Sequence, residues 1–134
     1  MVLLRHLALR CRDVENSRAF YEKVLGFDFV GYRGDRTAID LSDGTSNITP
    51  LPHEGERPVL LEGEEYIHFG VIVDDLIAAW QSIREFGSPI EKTVKGRDEI
   101  DSDTPPEIAF KTQDPDGNVI DVTCDRQEWR GVSV

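Results

Sequence analysis

Apolar and polar residues alternate along this chain in a pattern that occurs twice. Residues 3–11 alternate with the period of two that is typical of a strand, and an apolar stripe at helical spacing follows over 14–25. Three further strands are predicted, at 27–32, 37–41 and 46–51. The Asp43-Gly44 pair indicates a hairpin between the last two. The first half therefore predicts the order strand, helix, strand, strand, strand.

The second half repeats this order. A strand is predicted over 66–73, and a helix follows it, with Asp75 as N-cap just as Asp13 caps the first helix. Its later strands are predicted at 90–94, 107–112 and 118–124. A histidine lies near the start of the first strand of each half, His6 in one and His68 in the other. Two histidines at matching points of an internal repeat indicate a site built from both halves.

The repeat predicts a single α+β domain over 1–134. It consists of two βαβββ units, which form a cupped mixed β-sheet with the helices on the convex side. Its parts are unit one at 1–51, a polar linker at 52–65, unit two at 66–124 and a C-terminal tail at 125–134. The acidic loop at 96–106 is expected to be exposed to solvent, with a substrate lid as the alternative.

The charge balance narrows the classes of partner. The chain has 15 Lys and Arg residues against 26 Asp and Glu residues, a formal net charge of −11. Nucleic-acid backbones and anionic membranes attract basic faces, so neither is an expected partner. Cys11 and Cys124 have neither disulfide-framework nor metal-site spacing. We expect a cytoplasmic protein with reduced thiols.

Strand parity places candidate metal ligands on one face. Because the bulkier apolar side chains of each strand should face the helices, His6 and His68 are expected on the opposite, concave face. The same parity directs Asp121 to that face. A carboxylate buried there needs a partner to offset its desolvation, and a divalent cation would supply one. Two imidazoles and a carboxylate suit Fe²⁺, Mn²⁺, Zn²⁺ or Ni²⁺, so His6, His68 and Asp121 are the predicted metal ligands.

Three motifs carry a resemblance to a known family: HLALRCRDVENSRAFYEKVLGF at 6–27, YIHFGVIVDDL at 66–76 and DPDGNVIDV at 114–122. Together they resemble the vicinal oxygen chelate superfamily of glyoxalase I, extradiol dioxygenases, bleomycin resistance proteins and fosfomycin-resistance transferases. The resemblance implies the same three ligands, a small substrate chelated through vicinal oxygens, and a homodimer.

Two departures from the family pattern bear on the reaction. The acid of the family is usually Glu, and Asp121 is one methylene shorter. Matching Gly44 with Gly117 places Asp121 opposite Ile48, which cannot bind a metal. Three ligands with an open face favour dioxygenase-like chemistry slightly over fosfomycin-type thiol transfer, and both over glyoxalase I. The alternative is a metal-free protein that binds a small molecule, such as an antibiotic.

Residues beyond the ligand set are assigned more loosely. No catalytic residue is assigned, although a dioxygenase needs an additional base and Tyr32 and His53 are candidates. Arg10 is expected either to bind an anionic substrate or to pair with an acid of the third strand. The substrate-binding candidates are Arg10, Tyr32, Asp40 and Thr123.

Overall fold

The computed structural model describes residues 1–56, 68–91 and 103–133. The chain folds as two compact units, Met1–Glu64 and Glu65–Val134. Parts of five predicted features lie outside the described residues. These are the linker from 57 onward, the first two positions of the strand at 66–73, the sixth strand from 92 onward, the acidic loop up to 102, and position 134 of the tail.

Unit 1 contains four strands and one helix in the predicted order. Its elements are β1 (His6–Cys11), α1 (Val14–Lys23), β2 (Asp28–Arg33), β3 (Ala38–Ser42) and β4 (Asn47–Pro52). The sheet has the order β1-β4-β3-β2, in which β1 pairs with β4 in parallel and the other pairs are antiparallel. The parallel pairing brings the first and last strands of the unit side by side.

Unit 2 repeats the same topology. Its elements are β5 (Phe69–Ile72), α2 (Leu76–Phe86), β6 (Ile90–Glu91), β7 (Ala109–Gln113) and β8 (Val119–Thr123). The sheet order is β5-β8-β7-β6, again with the outer pair parallel. The predicted α+β fold of two βαβββ units is therefore confirmed. Among the described residues no helix is long and apolar enough to cross a membrane.

Side-chain caps explain where the two helices begin. Asp13 accepts hydrogen bonds from the backbone N–H groups of Glu15 at 2.9 Å and Asn16 at 3.1 Å, and Asp75 accepts one from Ala78 N at 2.9 Å. Such caps are worth about 1 kcal/mol each. Both predicted N-caps are confirmed. The first helix ends at Lys23, two residues earlier than the stripe predicts.

Burial along β1 follows the predicted alternation. Leu9 and Cys11 are buried, whereas His6, Ala8 and Arg10 are exposed. The core of the unit is built by the opposite face of the sheet and by the helix, through Phe20, Tyr21, Ile39, Leu41 and Ile48. Along β1, the face that carries His6 is therefore the more exposed of the two.

Candidate functional site

A tight turn fixes the register of β8, the strand that carries the predicted acidic ligand. Asp114 accepts hydrogen bonds from the backbone N–H groups of Asp116 and Asn118, both at 2.9 Å, and from Asn118 Nδ2 at 2.7 Å. Gly117 has a φ of +80°, which favours glycine over other residues. The DPDGN motif is thus structural, and it sets which residues of β7 and β5 lie beside Asp121.

Unit 2 brings His68 and Asp121 together. The distance from His68 Nε2 to Asp121 Oδ2 is 3.2 Å, and the Asp121 side chain is 5% exposed. His68 immediately precedes β5, and Asp121 pairs in register with Gly70 of that strand. Because side chains at 68 and 70 have the same parity, His68 and Asp121 project from one face of the sheet, called here the His68 face.

A lysine that the sequence pattern did not single out completes this cluster. Lys111 pairs in register with Asp121, and its Nζ lies 3.3 Å from Asp121 Oδ1. Its side chain is 11% exposed. The buried carboxylate is expected to need a partner, and Lys111 supplies a positive charge there beside any bound metal. The sequence did contain a sign of this contact, because Lys111 lies in a predicted strand at a position whose side chain points to the same face as Asp121.

Asp121 nevertheless keeps one oxygen that suits a cation. Asp121 Oδ1 is buried, and among the described residues it has the Lys111 ion pair at 3.3 Å but no well-aligned hydrogen bond. His68 Nε2 and the carboxylate oxygens converge, as two metal ligands do. Within the described part of each unit, no group of three His, Cys, Asp or Glu side chains is placed to hold a metal. Unit 2 thus offers two ligands, and the predicted third, His6, belongs to unit 1.

The C-terminal tail covers part of the His68 face. A Cβ built on Gly70 would lie 2.1 Å from Trp129 Cζ2, so the indole rests directly on the strand. The tail is tied to the unit by an ion pair between Arg126 and Asp74, at 2.7 Å. Trp129 is a site-lining residue that sequence periodicity does not reveal, because its position depends on how the tail folds back.

Unit 1 carries a different polar cluster around its histidine. His6 Nδ1 lies 2.6 Å from Asn47 Oδ1, and Asn47 Nδ2 donates to Asp40 Oδ1 at 3.0 Å. The same Asp40 oxygen accepts from Thr49 Oγ1 at 2.7 Å, and both carboxylate oxygens accept from Arg33 Nε at 2.8 Å. Burial raises the pKa of Asp40, but these hydrogen bonds outweigh it and lower the pKa to about 2.

Strand register corrects the expected match between the two units. Leu7 pairs with Ile48 in unit 1, and Phe69, which also follows a histidine, pairs with Ile120 in unit 2. Asp121 therefore corresponds to Thr49, not to Ile48. Matching the turn glycines failed because the β7–β8 turn has one residue more than the β3–β4 turn and places its glycine differently.

The same register shows that the acids lie on different strands of the two units. Lys111 pairs with Asp121 in unit 2, and the matching positions in unit 1 hold Asp40 and Thr49. The acid therefore lies on the third strand of unit 1 and on the fourth strand of unit 2. Each unit neutralises its acid with a basic residue, Arg33 in one and Lys111 in the other.

Two further candidates lie in unit 1. Arg10 is exposed on the face of His6, while the guanidinium on Asp40 is that of Arg33. Tyr32 lies towards the helix, because its hydroxyl donates to Glu15 of α1 at 2.5 Å. A register shift in β2 between Phe29 and Gly31 turns Tyr32 to this side.

Thr123 and His53 also have defined places. Thr123 is fully buried, and its hydroxyl donates to Ile108 O at 3.1 Å and accepts from Asp125 N at 3.0 Å. His53 is exposed directly after β4. The side chain of Thr123 thus connects the end of β8 to neighbouring backbone groups, which is separate from its predicted contact with substrate.

Comparison with known proteins decides the family. The model of the Glyoxalase/Bleomycin resistance protein/Dioxygenase superfamily matches residues 3–122. The chain belongs to this superfamily. In sequence, it is 34% identical over 95 residues to the uncharacterized protein YwkD of Bacillus subtilis, which covers 66% of this chain and 74% of YwkD.

Solved structures of other proteins share the fold. The V. cholerae integron cassette protein VCH_CASS1 is 26% identical, with a TM-score of 0.60 over 92% of this chain and 94% of that one. A mutant of the fosfomycin resistance protein FosX from Listeria monocytogenes, complexed with Mn(II) and 1S,2S-dihydroxypropylphosphonic acid, is 13% identical, with a TM-score of 0.69 over 96% of each chain. The likeness to FosX concerns the fold alone.

Proposed function

We propose that this chain is a metal-dependent enzyme of the superfamily, in which His6, His68 and Asp121 bind one divalent cation. The observation that carries the proposal is the approach of His68 Nε2 to Asp121 Oδ2, at 3.2 Å. Beside it lies Asp121 Oδ1, a buried oxygen that has an ion pair with Lys111 but no well-aligned hydrogen bond from the described residues. His6, at the start of the matching strand of unit 1, is the proposed third ligand.

The proposed ligand set leaves coordination positions for two oxygens of a small substrate. A cation bound there would polarise those oxygens as a Lewis acid. The ammonium of Lys111, close to Asp121 Oδ1, adds positive charge at the same place. Charge-assisted hydrogen bonds from an ammonium favour anionic oxygens. We therefore propose a small substrate with vicinal oxygens, at least one of them anionic.

The choice between reaction types rests on a second catalytic group. Ring cleavage needs a base near the metal. Tyr32 is directed towards α1 by its bond to Glu15, and His53 is exposed after β4, so neither supports the slight preference for a dioxygenase. Oxygen uptake with a catechol, and thiol consumption with an epoxide phosphonate such as fosfomycin, would distinguish the two reactions in metal-loaded protein.

A metal-free binding protein is the second candidate, and one observation favours it. Lys111 already lies against the buried carboxylate of Asp121, so unit 2 reaches charge balance without a metal. Such a protein would use the same face to hold a small molecule without converting it. It would show no requirement for a metal in ligand binding.

Titration of chelator-treated protein with Mn(II), followed by the EPR signal of the free ion, separates the two candidates. We expect about one equivalent of bound metal per chain in the wild type. His68→Gln should lose most of this binding, while His53→Gln serves as the control and should keep it. Less than about a tenth of an equivalent in the wild type would overturn the proposed enzyme in favour of the metal-free protein.

A further inference from the structure

We infer that Asn47 is a positioning residue, which holds His6 in the tautomer that carries its proton on Nδ1 and thereby presents Nε2 to a metal ion. The inference deepens the proposed function of the same site. Its tautomer part concerns the metal-free protein, so it can be tested whether or not the metal proposal holds.

The Asn47 amide has a defined orientation, and its oxygen and nitrogen have opposite hydrogen-bonding roles. Asp40 is an ionised carboxylate, so it only accepts hydrogen bonds. The atom of Asn47 that faces it at 3.0 Å must therefore be the donor Nδ2. Arg33 holds this carboxylate in place through two bonds of 2.8 Å. The carboxylate of Asp40 therefore decides which end of the Asn47 amide faces it and which end faces His6.

This orientation is passed on to the histidine. With Nδ2 on Asp40, the atom of Asn47 that faces His6 is the acceptor Oδ1, 2.6 Å from Nδ1. The approach requires a proton on Nδ1, because two acceptors without one would repel each other. A neutral imidazole protonated on Nδ1 carries its lone pair on Nε2. The register pairing of His6 with Asn47 in β1 and β4 keeps the two side chains adjacent.

The two histidines differ in the residue that stands beside them. In unit 2 the residue equivalent to Asn47 by strand register is Val119, which is apolar and has no amide to offer to His68. His68 instead directs its Nε2 to Asp121, at 3.2 Å. Of the two histidines, only His6 is therefore oriented by the Asn47 amide. Partners of this kind behind metal-binding histidines change metal affinity by roughly 10- to 100-fold when they are removed.

Nitrogen-15 NMR of histidine-labelled, metal-free protein tests the tautomer directly. At a pH of about 8, His6 should show a protonated Nδ1 and an unprotonated Nε2. Its signals are assigned by their loss in His6→Gln. Asn47→Leu removes the acceptor and should abolish this preference. Thr45→Val, which removes an exposed hydroxyl that donates to Asp43 in the β3–β4 turn, should preserve it. A His6 protonated on Nε2 in the wild type would overturn the inference.

Mn(II) affinity tests the consequence for the site. Asn47→Leu should bind Mn(II) roughly 10- to 100-fold more weakly than the wild type, and Thr45→Val should stay close to the wild type. Circular dichroism confirms that both variants fold. Equal affinity of Asn47→Leu and the wild type would overturn the positioning role. If the wild type itself binds no Mn(II), the proposed enzyme fails, while the NMR result still decides the tautomer.

Discussion

At the scale of single residues, the two acids of the polar faces are held in different ways. Asp40 receives hydrogen bonds from three side chains, those of Arg33, Asn47 and Thr49. Asp121 is more deeply buried, and among the described residues its Oδ1 atom has an ion pair with Lys111 but no well-aligned hydrogen bond. A fully bonded carboxylate is a structural element, whereas an incompletely bonded one retains capacity for a ligand.

Removing the charge of Lys111 should lower the free energy of unfolding, because the buried carboxylate of Asp121 then loses its neighbouring positive charge. Lys111→Met leaves Asp121 without its neighbouring ammonium, and breaking a buried ion pair costs about 3 kcal/mol. We expect a decrease of that size in the free energy of unfolding, measured by urea denaturation in the presence of a chelator. Mn(II) should restore part of the loss, because it places a cation on the same carboxylate. Lys23→Met, at an exposed position of α1, is the control. Equal effects of the two substitutions would contradict this account.

The lowered pKa of Asp40 predicts a dependence of stability on pH. Because its pKa falls from 3.8 to about 2 on folding, the folded state favours the ionised form. This contribution is present above a pH of about 4 and is lost as the pH falls towards 2. With allowance for partial exposure, it amounts to about 1–2 kcal/mol. The difference in unfolding free energy between the wild type and Asp40→Asn should shrink by that amount between pH 6 and pH 2. A constant difference would exclude the effect.

At the scale of elements, β8 and the tail behind it shape the His68 face. The DPDGN turn fixes the register that places Lys111 and Gly70 on either side of Asp121. The tail then lays the Trp129 indole over Gly70, at a distance that leaves no room for a side chain. Glycine at this position is therefore required by the close approach of an aromatic ring rather than by backbone conformation.

A substitution at Gly70 tests this packing. In Gly70→Ala the added Cβ would overlap the Trp129 ring, since the distance to Cζ2 would be 2.1 Å. We expect a loss of about 1–3 kcal/mol in unfolding free energy, which is typical of overpacking. In a Trp129→Ala background the same substitution should cost much less, so a double-mutant cycle followed by circular dichroism measures the coupling. Additive effects would show that the indole does not pack on Gly70 in solution.

At the scale of the whole molecule, local sequence predicted more than long-range pairing did. The element order, the two N-caps and the alternation in β1 followed from the chain, because each depends on neighbouring residues. The match between units failed by one residue, since turn length decides register and composition does not reveal it. Lys111 and Trp129 also escaped prediction, because their roles depend on cross-strand pairing and on the path of the tail.

The central proposal is that His6, His68 and Asp121 bind one metal ion, and pulsed EPR of the Mn(II)-loaded protein tests it most directly. Couplings to nitrogen-14 report how many imidazoles bind the ion. The wild type should show two, while His6→Gln and His68→Gln should each show one, with weaker binding. Bound Mn(II) with the same nitrogen couplings in all three proteins, or no bound Mn(II) in the wild type, would contradict the account.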